Sequence, residues 1–181
     1  MFGARRFART VGRRRSAGDK EDAESRAPTA ASLRARAVGW MARREHSRAE
    51  LRQKLRRLGG AEADIEALLD TLEQERLLSD QRYAEGVARV RGARFGSQRV
   101  ANELRQKGVG AEVAGLVADL KAGDFDLAQS VWARKFGVAP TDAGQRARQM
   151  RFLQARGFPG DVIRKVVPKS GLQDDRLQDD Q

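Results

Sequence analysis

Leu55-Arg56-Arg57-Leu58-Gly59 ends a helical pattern with a leucine and a glycine four residues apart. The same ending returns as Leu104-Arg105-Gln106-Lys107-Gly108 and again as Leu153-Gln154-Ala155-Arg156-Gly157. Both the leucines and the glycines are 49 residues apart each time. One helix ending in a left-handed glycine is common, but three at constant spacing predict an internal repeat.

Each repeat is predicted to hold three helices. In the first repeat, Ser32 is expected to cap a helix, and Ser47 with Glu50 is expected to form a capping box at the start of the second. The third helix carries apolar residues at the i, i+3, i+4, i+7 spacing of an amphipathic helix. These residues are Ile65, Leu68, Leu69 and Leu72.

The second and third repeats follow the same plan. Asp80 is expected to cap the first helix of the second repeat, and Pro159 fits the first position of the last helix. The last helices repeat the apolar stripe, with Val113, Leu116, Val117 and Leu120 in one and Val162, Ile163, Val166 and Val167 in the other. No stretch alternates with a period of two, so the sequence predicts an all-α fold.

Other positions share the 49-residue spacing and are expected to be equivalent between repeats: Ala35, Ala84 and Ala133; Val38, Val87 and Phe136; Tyr83 and Trp132. A unit of this length buries too little surface alone, so we expect the units to stack into an elongated, curved body. The predicted organisation is a basic disordered arm over 1–31, repeats over 32–79, 80–123 and 124–168, and an acidic disordered tail over 169–181.

Composition excludes several classes of protein. The chain has no cysteine and a single histidine, His46, which argues against disulfides, zinc sites and a Ser/His/Asp triad. No window is apolar enough to cross a membrane, and no phosphate-binding glycine-rich loop occurs. We therefore expect neither an enzyme nor a protein with a cofactor or metal.

The charge of the chain favours a negatively charged partner. Its 36 basic residues against 25 acidic ones give a net charge of +11 and a pI near 11.0. Arg48, Arg52 and Arg56 recur every four residues and are expected to share one ridge, whose reversal to glutamate should leave the fold intact. The candidate contact residues are Arg43, Arg44, Arg48, Arg52, Arg56, Arg57, Arg94, Arg99, Arg105, Lys107, Arg148, Arg151 and Arg156.

Sequence-specific reading of DNA is disfavoured. In a helix-turn-helix protein the recognition helix needs polar side chains that reach base edges. The third helices carry acidic residues instead, which would repel phosphate: Glu62, Asp64, Glu66, Asp70, Glu73, Glu112 and Asp119. Non-specific binding to DNA stays open. Trp40, Tyr83 and Trp132 could stack on bases, but their apolar neighbours favour a place in the core.

The order and spacing of these segments resemble the RecX family of bacterial recombination regulators. The resemblance spans about residues 33 to 167 and departs from the family pattern at Pro159. The residues that carry it are His46-Ser47-Arg48-Ala49-Glu50-Leu51 with Leu55; Leu78-Ser79-Asp80 with Tyr83-Ala84; Gly96 with Arg99-Val100; Glu103-Leu104; Lys107-Gly108-Val109; and Phe152-Leu153-Gln154-Ala155-Arg156-Gly157-Phe158 with Ile163.

The resemblance implies a cytoplasmic, non-enzymatic modulator of RecA. Members of the family bind RecA and its filament on single-stranded DNA and reduce ATPase and strand-exchange activity, which restrains recombination, DNA repair and the SOS response. We expect a monomer with weak non-specific DNA binding. The alternative is a helical-repeat protein that acts directly on nucleic acid, like a Myb array, although the regularly spaced tryptophans of such an array are absent.

Overall fold

The computed structural model describes residues 28–110 and 113–169, and in these ranges the chain forms nine α-helices and no strand. The predicted all-α repeat fold is confirmed. The predicted basic arm and acidic tail lie almost entirely outside the described residues. The helices are α1 Ala30–Met41, α2 Arg48–Arg57, α3 Glu62–Gln74, α4 Asp80–Arg91, α5 Ser97–Gln106, α6 Ala114–Ala122, α7 Asp124–Lys135, α8 Ala143–Ala155 and α9 Gly160–Val166.

Each group of three helices encloses its own apolar core, and we call these groups the first, second and third modules. The first core gathers around Leu51 and Leu55, and the third around Leu153 and Phe158, with all four side chains buried. The second core is smaller, and α6 contributes no fully buried side chain to it. The predicted stripe on the third helix is therefore strong in two modules and weak in the middle one.

Capping differs from the prediction at three helices, α1, α4 and α9. In α9 Pro159 is the N-cap and Gly160, not Pro159, takes the first helical position. Thr29, not Ser32, caps α1, and its hydroxyl accepts from the backbone NH of Ser32. Ser79, not Asp80, caps α4. Ser47 caps α2 as predicted, with its Oγ accepting from the backbone NH of Glu50 at 3.1 Å. The predicted return bond from the Glu50 carboxylate is replaced by bonds to other side chains.

The 49-residue register holds for the second helices but fails for the first helices of the first and third modules. Ala84 is fully buried, whereas Ala35 and Ala133 are exposed, so the expected equivalence of these alanines is wrong. The residue that matches Ala84 is Ala128, 44 positions later and also fully buried. The shift has two sources. The connection between α7 and α8 has seven residues where that between α4 and α5 has five, and α8 begins three residues further ahead of its leucine than α5 does.

The modules join through two seams that use corresponding residues of successive repeats. At the first seam the Ser47 hydroxyl donates to the carbonyl of Lys107 at 2.7 Å, and at the second the Gly96 NH donates to the carbonyl of Arg156 at 2.9 Å. Donors and acceptors are each 49 residues apart, so the contact is repeated from one seam to the next.

A carboxylate completes each seam. Asp80, the first residue of α4, accepts from the backbone NH of Arg48 at 2.7 Å. Asp124, the first residue of α7, accepts from the backbone NH of Ser97 at 2.9 Å and also from its hydroxyl. Each carboxylate thus lies at the N-terminus of the preceding module's second helix, where unpaired NH groups favour negative charge. The repeated bonds define which residues of the two seams correspond.

Candidate interaction surface

The predicted ridge of α2 faces the carboxylates of α3. The guanidinium of Arg48 donates to Glu66 at 2.8 Å and to Asp70 and Glu73 at 2.7 Å each, and its side chain is only 20% exposed. A cation held by three carboxylates has little charge left for an external partner. The acidic residues of α3 are in turn partly neutralised from within the module.

The other two arginines of the ridge are paired as well. Arg52 donates to Glu66, and this bond together with that of Arg48 lowers the pKa of Glu66 to about 2. Arg56 binds Glu62, with 2.6 Å between its Nε and the carboxylate oxygen. The three arginines share one side of α2 as predicted. Reversing them would oppose glutamates to α3, so the expectation of an intact fold is corrected.

Acidic residues also neutralise the cations of the first seam. The Glu50 carboxylate accepts from Lys107 at 2.7 Å and from Arg44 at 3.1 Å, which lowers its pKa even though burial opposes the shift. One further pair crosses the seam, Arg82 with Glu45 at 2.9 Å, and Arg91 pairs with Glu103 at 3.4 Å within the second module. The first seam is therefore closed by internal ion pairs.

The corresponding positions of the second seam have lost their acids. Forty-nine residues after Glu45, Glu50 and Glu103 come Arg94, Arg99 and Phe152, while Lys107 corresponds to Arg156. Arg99 donates to the carbonyl of Ala155 at 3.0 Å instead of binding a charged partner. The same architecture thus carries balanced charge at one seam and unbalanced positive charge at the other.

A cleft of about 510 Å³ opens at the second seam between the second and third modules. None of its four cations forms an ion pair within residues 28–110 and 113–169. The Arg156 guanidinium lies 3.8 Å over the ring of Phe152, which packs edge-on against Phe136 at 5.1 Å. The cleft is lined by Ala93, Arg94, Val131, Arg134, Lys135, Phe152 and Arg156. We call it the seam cleft.

The remaining predicted contact residues are scattered over the surface. Arg105 binds the side chain of Asn102. The others are exposed and form no ion pair in the part of the chain that the structure describes: Arg43, Arg57, Arg148 and Arg151. Sequence reasoning did not select Arg134 and Lys135, because neither lies in an arginine cluster. Comparing acidic positions of one repeat with the next would have directed attention to this region.

Two classes of feature are absent from residues 28–110 and 113–169. No group of three or more potential metal ligands occurs there. No helix in these ranges is both long and apolar enough to cross a membrane.

Family models for the three RecX three-helix domains match this chain in order. The first domain matches residues 34–72, the second residues 79–115 and the third residues 122–167. The chain belongs to the RecX family. These matches cover most of the helices described above, and the cores of the three modules lie within or next to them.

Sequence relatives and solved structures agree with this membership. The chain is 47% identical over 145 residues to "Regulatory protein RecX" of Herbaspirillum seropedicae, covering 80% of this chain and 94% of the relative. It is 45% identical over 137 residues to the protein of the same name from Ralstonia nicotianae, covering 75% and 86%. The crystal structure of RecX from Lactobacillus salivarius shares the fold, with a TM-score of 0.66 at 19% identity, over 76% of this chain and 93% of that one.

His46 is a buried polar residue of this RecX-family chain, at the end of the first module nearest the first seam. Its Nδ1 donates to the carbonyl of Arg44 at 2.9 Å, so its Nε2 accepts from Lys54 at 2.8 Å. Burial lowers the pKa of His46 below its usual 6.5. Protonation would add a second cation beside Lys54 and remove the acceptor. The neutral ring is therefore the form that fits the fold.

The free energy of unfolding is expected to fall as pH is lowered from 7 through 6.5. Below 6.5 the unfolded chain binds a proton that folded His46 resists, so stability is complete above this value and decreases towards the lower folded pKa. Urea unfolding at several pH values between 5.5 and 7.5 measures this slope. Because His46 is the only histidine, His46→Gln should flatten the slope, and an unchanged slope in that variant would contradict the assignment.

Proposed function

We propose that the chain is a negative regulator of RecA, which binds RecA or its filament on single-stranded DNA and inhibits ATPase and strand exchange. The family membership and the relatives' name "Regulatory protein RecX" support a regulatory role. The observation that carries the contact is the unbalanced positive charge at the second seam. In this proposal the chain acts in the cytoplasm as a monomer, in recombination, DNA repair and the SOS response, and catalyses no reaction.

The proposal separates the predicted cations by their availability. Arg94, Arg99 and Arg156 lie at the second seam, and Arg43, Arg57, Arg105, Arg148 and Arg151 are exposed elsewhere on the modules. These residues are proposed to contact the partner. The paired residues Arg44, Arg48, Arg52, Arg56 and Lys107 are proposed to act indirectly, by holding the first module and the first seam in shape. Several weak contacts on one chain act together at high effective concentration.

The rate of ATP hydrolysis by RecA on single-stranded DNA tests this function. Adding the purified chain at less than one molecule per RecA monomer is expected to lower the rate, because each contact on a filament affects neighbouring subunits. The control adds the same amount of a basic protein without these modules. An unchanged rate at equimolar chain would reject the proposal.

The alternative is non-specific binding to nucleic acid without RecA, and the stacked arginines of the second seam favour it as a second candidate. Salt separates the two functions. Binding to bare duplex DNA by cation–phosphate contacts weakens steeply as salt rises. We expect the chain to bind RecA filaments at salt concentrations at which it no longer binds bare duplex DNA. Equal salt dependence on both substrates would favour the alternative.

A further inference from the structure

We propose that the seam cleft is a phosphate-binding site that takes the backbone of a single-stranded nucleic acid. This deepens the proposed function, on which it rests for its biological setting, since such a strand is the one that RecA covers. The first seam is expected to lack the activity. The two seams therefore have the same construction but bind different anions. The cations of the first seam bind carboxylates of the chain itself, and those of the second bind the phosphates of the nucleic acid.

Corresponding positions of the two seams carry opposite charge. Glu45 and Glu50 become Arg94 and Arg99, so two positions change from negative to positive. At the first seam the acids bind Arg82, Arg44 and Lys107 at 2.7 to 3.1 Å. Arg156, the counterpart of Lys107, has no such acid beside it. The second seam holds together by backbone bonds and the buried Asp124, so the charges of its arginines are not needed to close it.

The four cations of the seam cleft come from three separate segments of the chain. Arg94 follows α4, Arg134 and Lys135 end α7, and Arg156 follows α8. Basic residues at the end of a helix are expected from the helix dipole alone, which accounts for Arg134 and Lys135 without a ligand. It also suits Arg156, the C-cap of α8, but it does not explain why three helix ends meet at one cleft, with Arg94 entering from beyond the C-cap of α4. Four like charges around one space repel one another, and a polyanion relieves that repulsion.

Two arginines at the second seam are stacked on aromatic rings, which indicates the type of polyanion that the cleft binds. The Arg156 guanidinium is stacked on Phe152 at 3.8 Å, and Arg99 is stacked on Phe95 at 4.2 Å. Arg99 also donates to the carbonyl of Ala155, next to Arg156, so the two stacks are neighbours. Unpaired bases stack on aromatic rings and on guanidinium planes, whereas the bases of a duplex are not free to do so. Cations for phosphate beside planar groups for bases favour a single strand over an acidic peptide.

Direct binding of a fluorescein-labelled oligothymidine to the full chain, without RecA, tests the site by anisotropy at several salt concentrations. Arg134→Ala with Lys135→Ala is expected to weaken binding about tenfold. The slope of log affinity against log salt should fall by roughly 0.7 for each phosphate contact removed. The matched control is Arg164→Ala with Lys165→Ala, which removes the same two residue types from the last turn of α9. It should change affinity less than twofold.

A second variant, Arg94→Glu, places at the second seam the residue that its counterpart Glu45 supplies at the first. It is exposed, so the fold should persist, and binding of the oligonucleotide should fall at least as far. We call Arg134→Ala/Lys135→Ala the α7 variant and Arg164→Ala/Lys165→Ala the α9 variant. Equal losses of oligonucleotide affinity in the two variants would overturn the proposal, because they would indicate a diffuse effect of net charge. Binding of polyglutamate as tight as that of the oligonucleotide, with the same sensitivity to the α7 variant, would also overturn it.

The outcomes for the site and for the function are separable. Loss of oligonucleotide binding in the α7 variant with full inhibition of RecA would place the site outside the proposed function and leave both activities in the chain. Retained oligonucleotide binding in the α7 variant would reject the site, whatever the effect on RecA. Failure of the unmodified chain to slow RecA would reject the function while leaving the binding result to stand.

Discussion

Arg48→Ala is expected to lower the free energy of unfolding by about 2 kcal/mol, and the melting temperature by roughly 4–8 °C. The Arg48 side chain is mostly buried and is the shared counterion of Glu66, Asp70 and Glu73. Without it, Asp70 and Glu73 lose their counterion and Glu66 keeps only Arg52, so α3 is left with a row of carboxylates that repel one another. The expected loss exceeds that of an ordinary surface ion pair, which contributes at most about 1 kcal/mol. Urea denaturation followed by circular dichroism measures it.

Arg57→Ala is the matched control for this prediction. Arg57 ends the same helix, but it is exposed and forms no ion pair in the described part of the chain. Its loss should change stability by less than about 0.5 kcal/mol. Arg48→Lys should recover part of the loss, since an ammonium supplies the charge without the two-sided reach of a guanidinium. Equal stability of the Arg48→Ala and Arg57→Ala variants would show that the three carboxylates do not need Arg48.

Gly157→Ala is expected to lower the free energy of unfolding by about 3 kcal/mol and to open the second seam. Gly157 has a φ of +81°, and a Cβ there would lie 2.4 Å from the Cβ of Arg99 and 2.7 Å from its backbone nitrogen. Left-handed strain and overlap with backbone therefore act together. Hydrogen exchange should show faster exchange of the Gly96 NH, which donates to Arg156 across the seam.

Gly59→Ala isolates the strain from the overlap. Gly59 has nearly the same φ, +83°, but a Cβ there would meet only a Pro28 side-chain atom at 3.8 Å, an ordinary contact. Its replacement should cost about 1 kcal/mol and leave both seams closed. If Gly157→Ala costs no more than Gly59→Ala, the close approach of the modules at the second seam does not contribute to stability.

Sequence reasoning found the repeat because the feature that repeats is local. A leucine on the inner face and a glycine with positive φ mark the end of each second helix, and Gly59, Gly108 and Gly157 all have such a φ. The first helices could not be placed by the same spacing. Their register depends on the loop and on the start of the helix that follow. The loop after α7 is longer and α8 begins further ahead of its leucine, so Asp124, 44 positions after Asp80, completes the second seam.

The surroundings of the charged residues could not be predicted from the sequence. An arginine that faces solvent and one that faces a carboxylate give the same sequence pattern. Arg48, Arg52 and Arg56 were expected to share a face, and they do, but that face meets α3. The i+4 spacing gives the side of a helix and not its neighbour. Arg134 joins the seam cleft only because the third module docks beside Arg94. Which cations line the seam cleft depends on contacts between modules, so it cannot be predicted from the sequence of a single repeat.

The central claim is that this chain restrains RecA through the second seam. The most direct measurement is the RecA ATPase rate on single-stranded DNA with substoichiometric chain, compared between Arg134→Ala/Lys135→Ala and Arg164→Ala/Lys165→Ala at equal folded concentration. We predict that the concentration for half inhibition rises about tenfold for the α7 pair, as expected for about 1.4 kcal/mol of lost binding, and less than twofold for the α9 pair. Inhibition by both variants at the concentration needed for the unmodified chain would contradict the claim.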